Sequence, residues 1–372
     1  MTQHDEFYMQ QAIALAKQGQ YRTRPNPNVG CVIVKDGVVI GQGFHPQAGQ
    51  PHAEVFALRE AGEQAEGATA YVTLEPCSHF GRTPPCANAL IAAKVSRVVI
   101  ACHDPNPLVA GQGIARLQQA GIDVTTGIAE AAAAELNRGF LKAMASQMPY
   151  VRLKIASSLD GRTAMQSGES QWITGVDARQ DVQHWRAISG AVITGIQTVL
   201  ADDCQLNVRQ LLDEQGQVYQ VNANSPVLQP KRVILDRQGR LPLTAKILQQ
   251  AEQVIVVGPY RQELADMGVK QLETQPLPQL LRTLCQDEHI YDVLIEAGAT
   301  LATAFIQQGL VDEIIHYIAP TLLGSTAQPM FIQDIQQLSQ QYRFHVKRVK
   351  MVGQDLRVQL TPQPMKENTT NL

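Results

Sequence analysis

Charge of one sign, long apolar runs and cysteine are all in short supply in this 372-residue chain. Its 31 Lys and Arg residues nearly balance 34 Asp and Glu, leaving a net charge of −3. The basic residues are scattered, whereas a nucleic-acid binder ordinarily gathers them into a patch or stripe. No nucleic-acid partner is therefore expected. No apolar run approaches the roughly 18 residues that read as a bilayer span, so no membrane partner is expected either. The opening MTQHDEFYMQQ is polar and acidic, unlike a secretory signal, and a cytoplasmic setting is the expectation. The six cysteines, Cys31, Cys77, Cys86, Cys102, Cys204 and Cys285, are too few to staple a chain of this length. Reduced thiols follow, and four of them read as small buried apolar residues. Only Cys77 and Cys86 stand among other metal-binding residue types.

What is present is ample apolar content, 44%, in a chain too long for one ordinary core. The first half reads as a helix over the first twenty or so residues, then CVIVKDGVVIGQG as a hairpin turning at Asp36-Gly37. A helix from His52 to Gly62 follows. AYVTLE, RVVIA and IDVTTG read as strands, with helices PPCANALIAA and GQGIARLQQAG between them. AEAAAAELNRGFLKAMAS reads as one helix of strong formers. This alternation predicts a sheet covered by helices, of α/β class. Pro149 ends it, giving domains over 1–147 and 148–372. In the second half YVRLKIASS, AVITG, RVILD, QVIVVG, DVLIEAG and DEIIHYIAP read as strands, and a closing hairpin spans RFHVKRVKMVGQDLRVQLTP. Residues 210–230, rich in Gln, Asn, Asp and Pro, read as a surface insertion.

The chemistry concentrates in PHAEVFAL and LEPCSHFGRTPPC. His52, Cys77 and Cys86 are one imidazole and two thiols, a set that suits zinc and leaves a fourth position for water. Such a water ionises near neutral pH. Glu54, two residues from His52, falls near the metal without binding it and suits general acid–base work. His52 and Cys86 both fall at helix starts, and Cys77 falls at the end of a strand. Taken singly, each of these residues has a bland reading; it is their combination that points to a site.

The pattern His-x-Glu followed by Pro-Cys is similar to that of the zinc cytidine-deaminase superfamily. The usual Cys-x-x-Cys is replaced here: Cys77 and Cys86 bracket SHFGRTPP, a segment with cationic and hydroxyl groups suited to phosphate. That longer loop, with RPNPNVGCVIV upstream and DPNP at 104–107, resembles the deaminase of riboflavin biosynthesis. The resemblance implies that Asn26 and His45 hold the pyrimidine and that His79, Arg82 and Thr83 hold its phosphate. Without it, Asn26 reads as a turn residue and His45 as a loop histidine.

VLIEAGATLATAFIQQG is a strand, a glycine and a helix start, a joint at which backbone N–H groups can meet phosphate. Small and polar residues crowd LKIASSLDGRTA and SGESQWITG. These stretches and ITGIQTVLADDCQLNVR resemble the reductase half of the same bifunctional riboflavin enzymes, with Cys204 where proline is usual. The resemblance implies a cytidine-deaminase-like α/β/α domain followed by a dihydrofolate-reductase-like α/β domain, with zinc and NADPH as cofactors. It places Ala156, Trp172, Thr198, Asp202, Gly298, Ala299, Thr300, Leu301, Ala302, Thr303 and Ala304 on NADPH. Ser170, Arg186, Leu206, Arg209 and Glu296 fall on the substrate, with Lys154 positioning its sugar. Arg237 is a candidate reader of the NADPH 2′-phosphate. Small-molecule substrates and an even-numbered homo-oligomer (dimer or tetramer) are further implications. On the residues alone, Trp172 reads as core and Arg186 as a surface ion pair. Two other readings stay open: a zinc deaminase for a different base, and a structural zinc module joined to a nucleotide-binding domain.

Overall fold

The computed structural model describes residues 3–78, 85–107, 109–212 and 227–363. They form two compact units, the first running to Met148 and including Leu228, the second beginning at Pro149. Leu228 is held in the first unit by hydrogen bonds: its N–H donates to the Tyr21 carbonyl (3.1 Å), and Arg24 Nη2 donates to its carbonyl (2.6 Å). Most of the 210–230 insertion lies outside the described residues.

The first unit comprises α1 (Gln3–Lys17), β1 (Gly30–Lys35), β2 (Val38–Phe44), α2 (Ala53–Ala61), β3 (Thr69–Leu74), α3 (Cys86–Ala92), β4 (Arg97–Cys102), α4 (Gln112–Gln119), β5 (Asp123–Thr126), α5 (Glu130–Leu136) and α6 (Arg138–Ser146). Its sheet has the order β2-β1-β3-β4-β5, antiparallel at β1 and parallel from β3 onward. Asp36 and Gly37 both take positive φ, 50° and 76°, as a tight hairpin turn requires. The strands are covered on both faces. Cys31 and Ile33 of β1 pack with Ala53, Ala57, Leu90 and Leu117, while Val32 and Val34 pack with Tyr8, Met9, Ile13 and Ile128. That is the period-two division of an α/β/α layering. Gly43 lets α2 press on β2: a Cβ there would lie 2.5 Å from the Ala53 carbonyl oxygen. The close approach fixes the helix turn that carries Glu54.

One sequence expectation differs. The run 129–146 is two helices, broken at Asn137. Asn137 Oδ1 accepts the Asn28 N–H (2.7 Å) and its Nδ2 donates to the Asn28 carbonyl (2.8 Å). A side chain tied to distant backbone outweighs the intrinsic helix preference of the neighbouring alanines.

The second unit comprises β6 (Tyr150–Ser158), β7 (Arg162–Ala164), α7 (Val176–Ile188), β8 (Ala191–Gly195), α8 (Ile196–Asp202), β9 (Lys231–Leu235), β10 (Val254–Val257), α9 (Gln262–Asp266), β11 (Lys270–Leu272), α10 (Leu277–Gln286), β12 (Asp292–Glu296), α11 (Ala299–Gln307), β13 (Glu313–Ala319), β14 (Gln328–Pro329), β15 (Phe344–Val352) and β16 (Asp355–Pro362). Nine strands share one sheet in the order β11-β10-β9-β8-β12-β6-β13-β16-β15. All pairings are parallel until β16 and β15, which close it as an antiparallel hairpin. The short strand pair β7–β14 stands apart. One face of the large sheet packs Val192, Ile234, Val256 and Leu294 against Val182 and Trp185 of α7. Among the described residues, no helix is long and apolar enough to cross a membrane.

Candidate functional site

In the first unit three chain segments converge. Cys77 follows β3, Cys86 opens α3, and His52 caps α2. Their ligand atoms all lie within 4.8 Å of one another. His52 Nδ1 stands 3.7 Å from Cys77 Sγ and 3.3 Å from Cys86 Sγ. Tetrahedral zinc with ordinary Zn–N and Zn–S bonds separates such atoms by about 3.6 Å, so the donors fit that metal. Cys86 N–H donates to Cys77 Sγ (3.2 Å).

The charges of the site ask for a cation. Hydrogen bonding from Cys86 and His52 draws the Cys77 thiol down to about 4. The Cys86 thiol is held well above its ordinary range by its contact with Cys77 and by burial. Two thiols this close do not both ionise without a positive ion between them. His52 is raised, chiefly by its hydrogen bond with Cys77. Glu54 is 3% exposed, and burial raises its carboxyl above the usual range. Its Oε2 is buried without a hydrogen-bond partner among the described residues, an arrangement that ordinarily has a functional or ligand-related explanation.

Asn26 and His45 belong to the same place. His45 is 2% exposed, and its ring lies edge-on to His52 with centroids 5.3 Å apart. Its Nδ1 meets the Pro51 carbonyl at 3.0 Å, so that nitrogen carries the proton. Its Nε2 then accepts from Asn26 Nδ2 at 3.0 Å. Burial lowers the His45 pKa and favours this neutral form. His79, Arg82 and Thr83 lie outside the described residues.

The second unit contains a cavity of about 1570 Å³ at the carboxyl ends of its parallel strands, where open α/β sheets bind ligands. Typical small-ligand pockets hold roughly 300–1,000 Å³, so this one has room for a dinucleotide beside a sugar phosphate. Every reductase residue named from the sequence lines it except Thr303. Thr303 is buried, and its hydroxyl accepts the Ile332 N–H (2.8 Å). Its neighbours Ala302 and Ala304 line the cavity, as do Ala299, Thr300 and Leu301 one turn earlier. Gly298 is the N-cap of α11 and supplies no side-chain cap, and helix N–H groups of this kind can meet phosphate.

Lys154, in the middle of β6, and Glu296, the last residue of β12, are register partners. Arg186 is neither on the surface nor free. Its Nε and Nη2 meet the two Glu296 oxygens at 2.6 and 3.0 Å, and its Nη1 donates to the Asn207 carbonyl (3.2 Å). Burial pushes the Glu296 carboxyl up, but Arg186, then Lys154 and Arg209, outweigh it and hold it below its ordinary range. Burial, reinforced by Arg186, lowers Lys154 despite Glu296 and Asp202. Ser170 donates to Asp202 Oδ1 (3.3 Å). Leu206 sits at a φ of 54°, a conformation that costs a branched residue energy and often marks a site. Trp172 is 66% exposed rather than core, with the Arg179 guanidinium 4.3 Å from its ring centroid. The sequence reading missed Arg179, Arg240 and Lys246, which line the cavity along with Arg237. Arg179 lies in α7, and Arg240 and Lys246 lie between β9 and β10; beyond their positive charge, nothing local in the sequence marks them.

Comparison with known proteins finds relatives of both units. The family profile of the RibD C-terminal domain matches residues 149–358, and that of the cytidine and deoxycytidylate deaminase zinc-binding region matches residues 2–102. The riboflavin biosynthesis protein RibD of Escherichia coli (strain K12) is 50% identical, covering 95% of this chain and 98% of its own. Its Haemophilus influenzae counterpart is 46% identical, covering 97% and 98%. Among solved structures, Acinetobacter baumannii RibD (form 1) has a TM-score of 0.93 at 67% identity, covering 97% of this chain and 99% of its own. A Thermotoga maritima diaminohydroxyphosphoribosylaminopyrimidine deaminase/5-amino-6-(5-phosphoribosylamino)uracil reductase has a TM-score of 0.84 at 34% identity, covering 97% and 99%. With both halves matched in order and relatives aligned end to end, the chain belongs to the RibD family, the bifunctional deaminase–reductases of riboflavin biosynthesis.

Proposed function

We propose how the residues of this bifunctional enzyme divide its two reactions. His52, Cys77 and Cys86 hold zinc, and Glu54 moves the proton in hydrolysis of the 2-amino group of 2,5-diamino-6-ribosylamino-4(3H)-pyrimidinone 5′-phosphate. Zinc, when bound, supplies the Lewis acidity that lets water react near neutral pH. Glu54 takes a proton from that water as it adds to the ring carbon and delivers it to the amine, which leaves as ammonia. Asn26 and neutral His45 orient the pyrimidine beside it. By the family pattern, His79, Arg82 and Thr83 hold the phosphate.

The second unit then reduces the ribosyl group to ribityl. NADPH, when bound, supplies the hydride that C1′ receives. In this reading α11 and Thr198 hold the cofactor, while Trp172 and Ala156 line its berth. Lys154 and Glu296 face the sugar, Arg186 locks Glu296 in orientation, and Arg209 is left available for the phosphate. The observation that carries the reading is the buried, unpartnered Glu54 oxygen beside three converging metal donors.

The decisive test gives the zinc-loaded protein the diaminopyrimidine phosphate and NADPH and follows ammonia and NADPH together. Ammonia release followed by NADPH oxidation is expected. NADPH oxidation without prior ammonia overturns the order, and neither signal overturns the substrate. Lys154→Ala is expected to abolish NADPH oxidation while ammonia release continues; equal loss of both refutes the division of labour. A cytoplasmic setting and an even-numbered homo-oligomer belong to the same reading. The edge strand β15 supports the latter, because it exposes Val346, Val349 and Met351. Sedimentation giving a monomer rejects it.

A further inference from the structure

We propose that helix α4 is a clamp that holds Cys77 in its ligating position, with Glu75 and Arg116 as its positioning residues. The inference rests on the reading of His52, Cys77 and Cys86 as zinc ligands. The chain from residue 75 to residue 78 leaves the end of β3 and carries Cys77, and α4 grips it on both sides of the ligand. Glu75 is 3% exposed. Its Oε1 accepts the N–H groups of Gly113 (3.0 Å) and Ile114 (3.3 Å) in the first turn of α4. Its Oε2 accepts those of Gly111 (3.1 Å) and Asp104 (3.4 Å). One carboxylate thus binds the strand end to a helix N-terminus, where negative charge is favoured.

The next residue is held by shape. A Cβ on Gly113 would lie 2.1 Å from the Pro76 carbonyl oxygen, so only glycine admits α4 this close. Beyond the ligand, Arg116 Nη1 donates to the Ser78 carbonyl (3.0 Å). Cys77 itself is tied to α3, its carbonyl accepting the Ala87 N–H (3.2 Å) and its sulfur the Cys86 N–H (3.2 Å). Each of these four consecutive residues therefore has a restraint of its own, and the ligand sits between two helix starts. A loop position ordinarily costs a ligand precision; support of this kind restores it. Neither Glu75 nor Arg116 touches the reacting atoms. Their influence runs through the sulfur of Cys77.

The test measures zinc release from the full-length, zinc-loaded chain into excess chromophoric chelator, alongside the melting temperature of each variant. Cys77→Ser serves as the reference for loss of a ligand. If it releases zinc no faster than the parent chain, the ligand reading fails, and the clamp fails with it. With that reference in place, Glu75→Gln and Arg116→Ala are expected to release zinc about 10- to 100-fold faster, the usual effect of losing an outer support of a metal ligand. Arg116→Lys, which keeps a donor for the Ser78 carbonyl, is expected to restore most of the retention. Lowered melting with unchanged release overturns the clamp and leaves Glu75 a purely structural carboxylate. If Glu75→Gln does not fold, the Arg116 pair decides: release unchanged in Arg116→Ala, or not corrected in Arg116→Lys, overturns the proposal.

Discussion

The buried ion pair at the reductase cavity makes a quantitative prediction. Glu296 and Arg186 are both largely buried, with side-chain exposures of 9% and 12%. Two hydrogen bonds join them, and Lys154 is the Glu296 register partner on the adjacent strand. Glu296→Ala would leave the largely buried Arg186 guanidinium, with Lys154 nearby, without its anion. Breaking a buried pair from one side costs about 3–5 kcal/mol, chiefly because the remaining charge is uncompensated. With a urea m-value of about 2–3 kcal/mol/M for a unit of this size, the midpoint should fall by roughly 1–2 M. The assay is selective, because both tryptophans, Trp172 and Trp185, lie in the second unit. Their fluorescence therefore reports its unfolding, and the first unit contributes nothing to that signal. The double variant Arg186→Met, Glu296→Leu should recover most of the loss, since a buried pair replaced by apolar side chains is often neutral. NADPH oxidation should stay absent in both variants, separating stability from function. A loss below about 1 kcal/mol in Glu296→Ala would mean the pair is screened by solvent, and the reasoning would be wrong.

Other consequences follow from the same geometry. Glu54→Ala should retain zinc and lose deamination by about 10²–10⁴-fold; retained ammonia release would remove its proton-carrying role. Cys77→Ser should lower the zinc content measured by mass spectrometry, and unchanged stoichiometry would reject it as a ligand. His184 and His316 are held neutral by burial, with pKa values lowered to about 4. The unfolded chain binds their protons near 6.5, so stability is present above that pH and drains away as pH falls toward 4. The loss at pH 5 relative to pH 8 is about 2 kcal/mol per histidine. His184 has Asp181, Arg152 and Arg357 near it, and His316 hydrogen-bonds Ser157 at 2.8 Å. Replacing both histidines with glutamine should flatten the urea midpoint between pH 5 and 7; an unchanged slope would place the acid sensitivity elsewhere.

The sequence by itself determined whatever depends on near neighbours. Alternating apolar residues in CVIVK divide between two helix layers because strand side chains alternate. Asp36-Gly37 turns the hairpin because both residues accept positive φ. His52, Cys77 and Cys86 were legible as a donor set because one imidazole and two thiols, each at the end of an element, suit a zinc ion. Tertiary structure decided the pairings that cross long stretches of chain. Arg186 meets Glu296 across 110 positions, and Asn137 breaks a helix to bind Asn28 across 109. Neither partner is marked locally. The neutral tautomer of His45 depends on Pro51 and Asn26 together, and the Thr303 hydroxyl is taken up by the Ile332 N–H, 29 positions away. The grip of α4 on the Cys77 segment is of the same kind: a glutamate, a glycine and an arginine, ordinary in sequence, become a single device only where β3 ends against the helix.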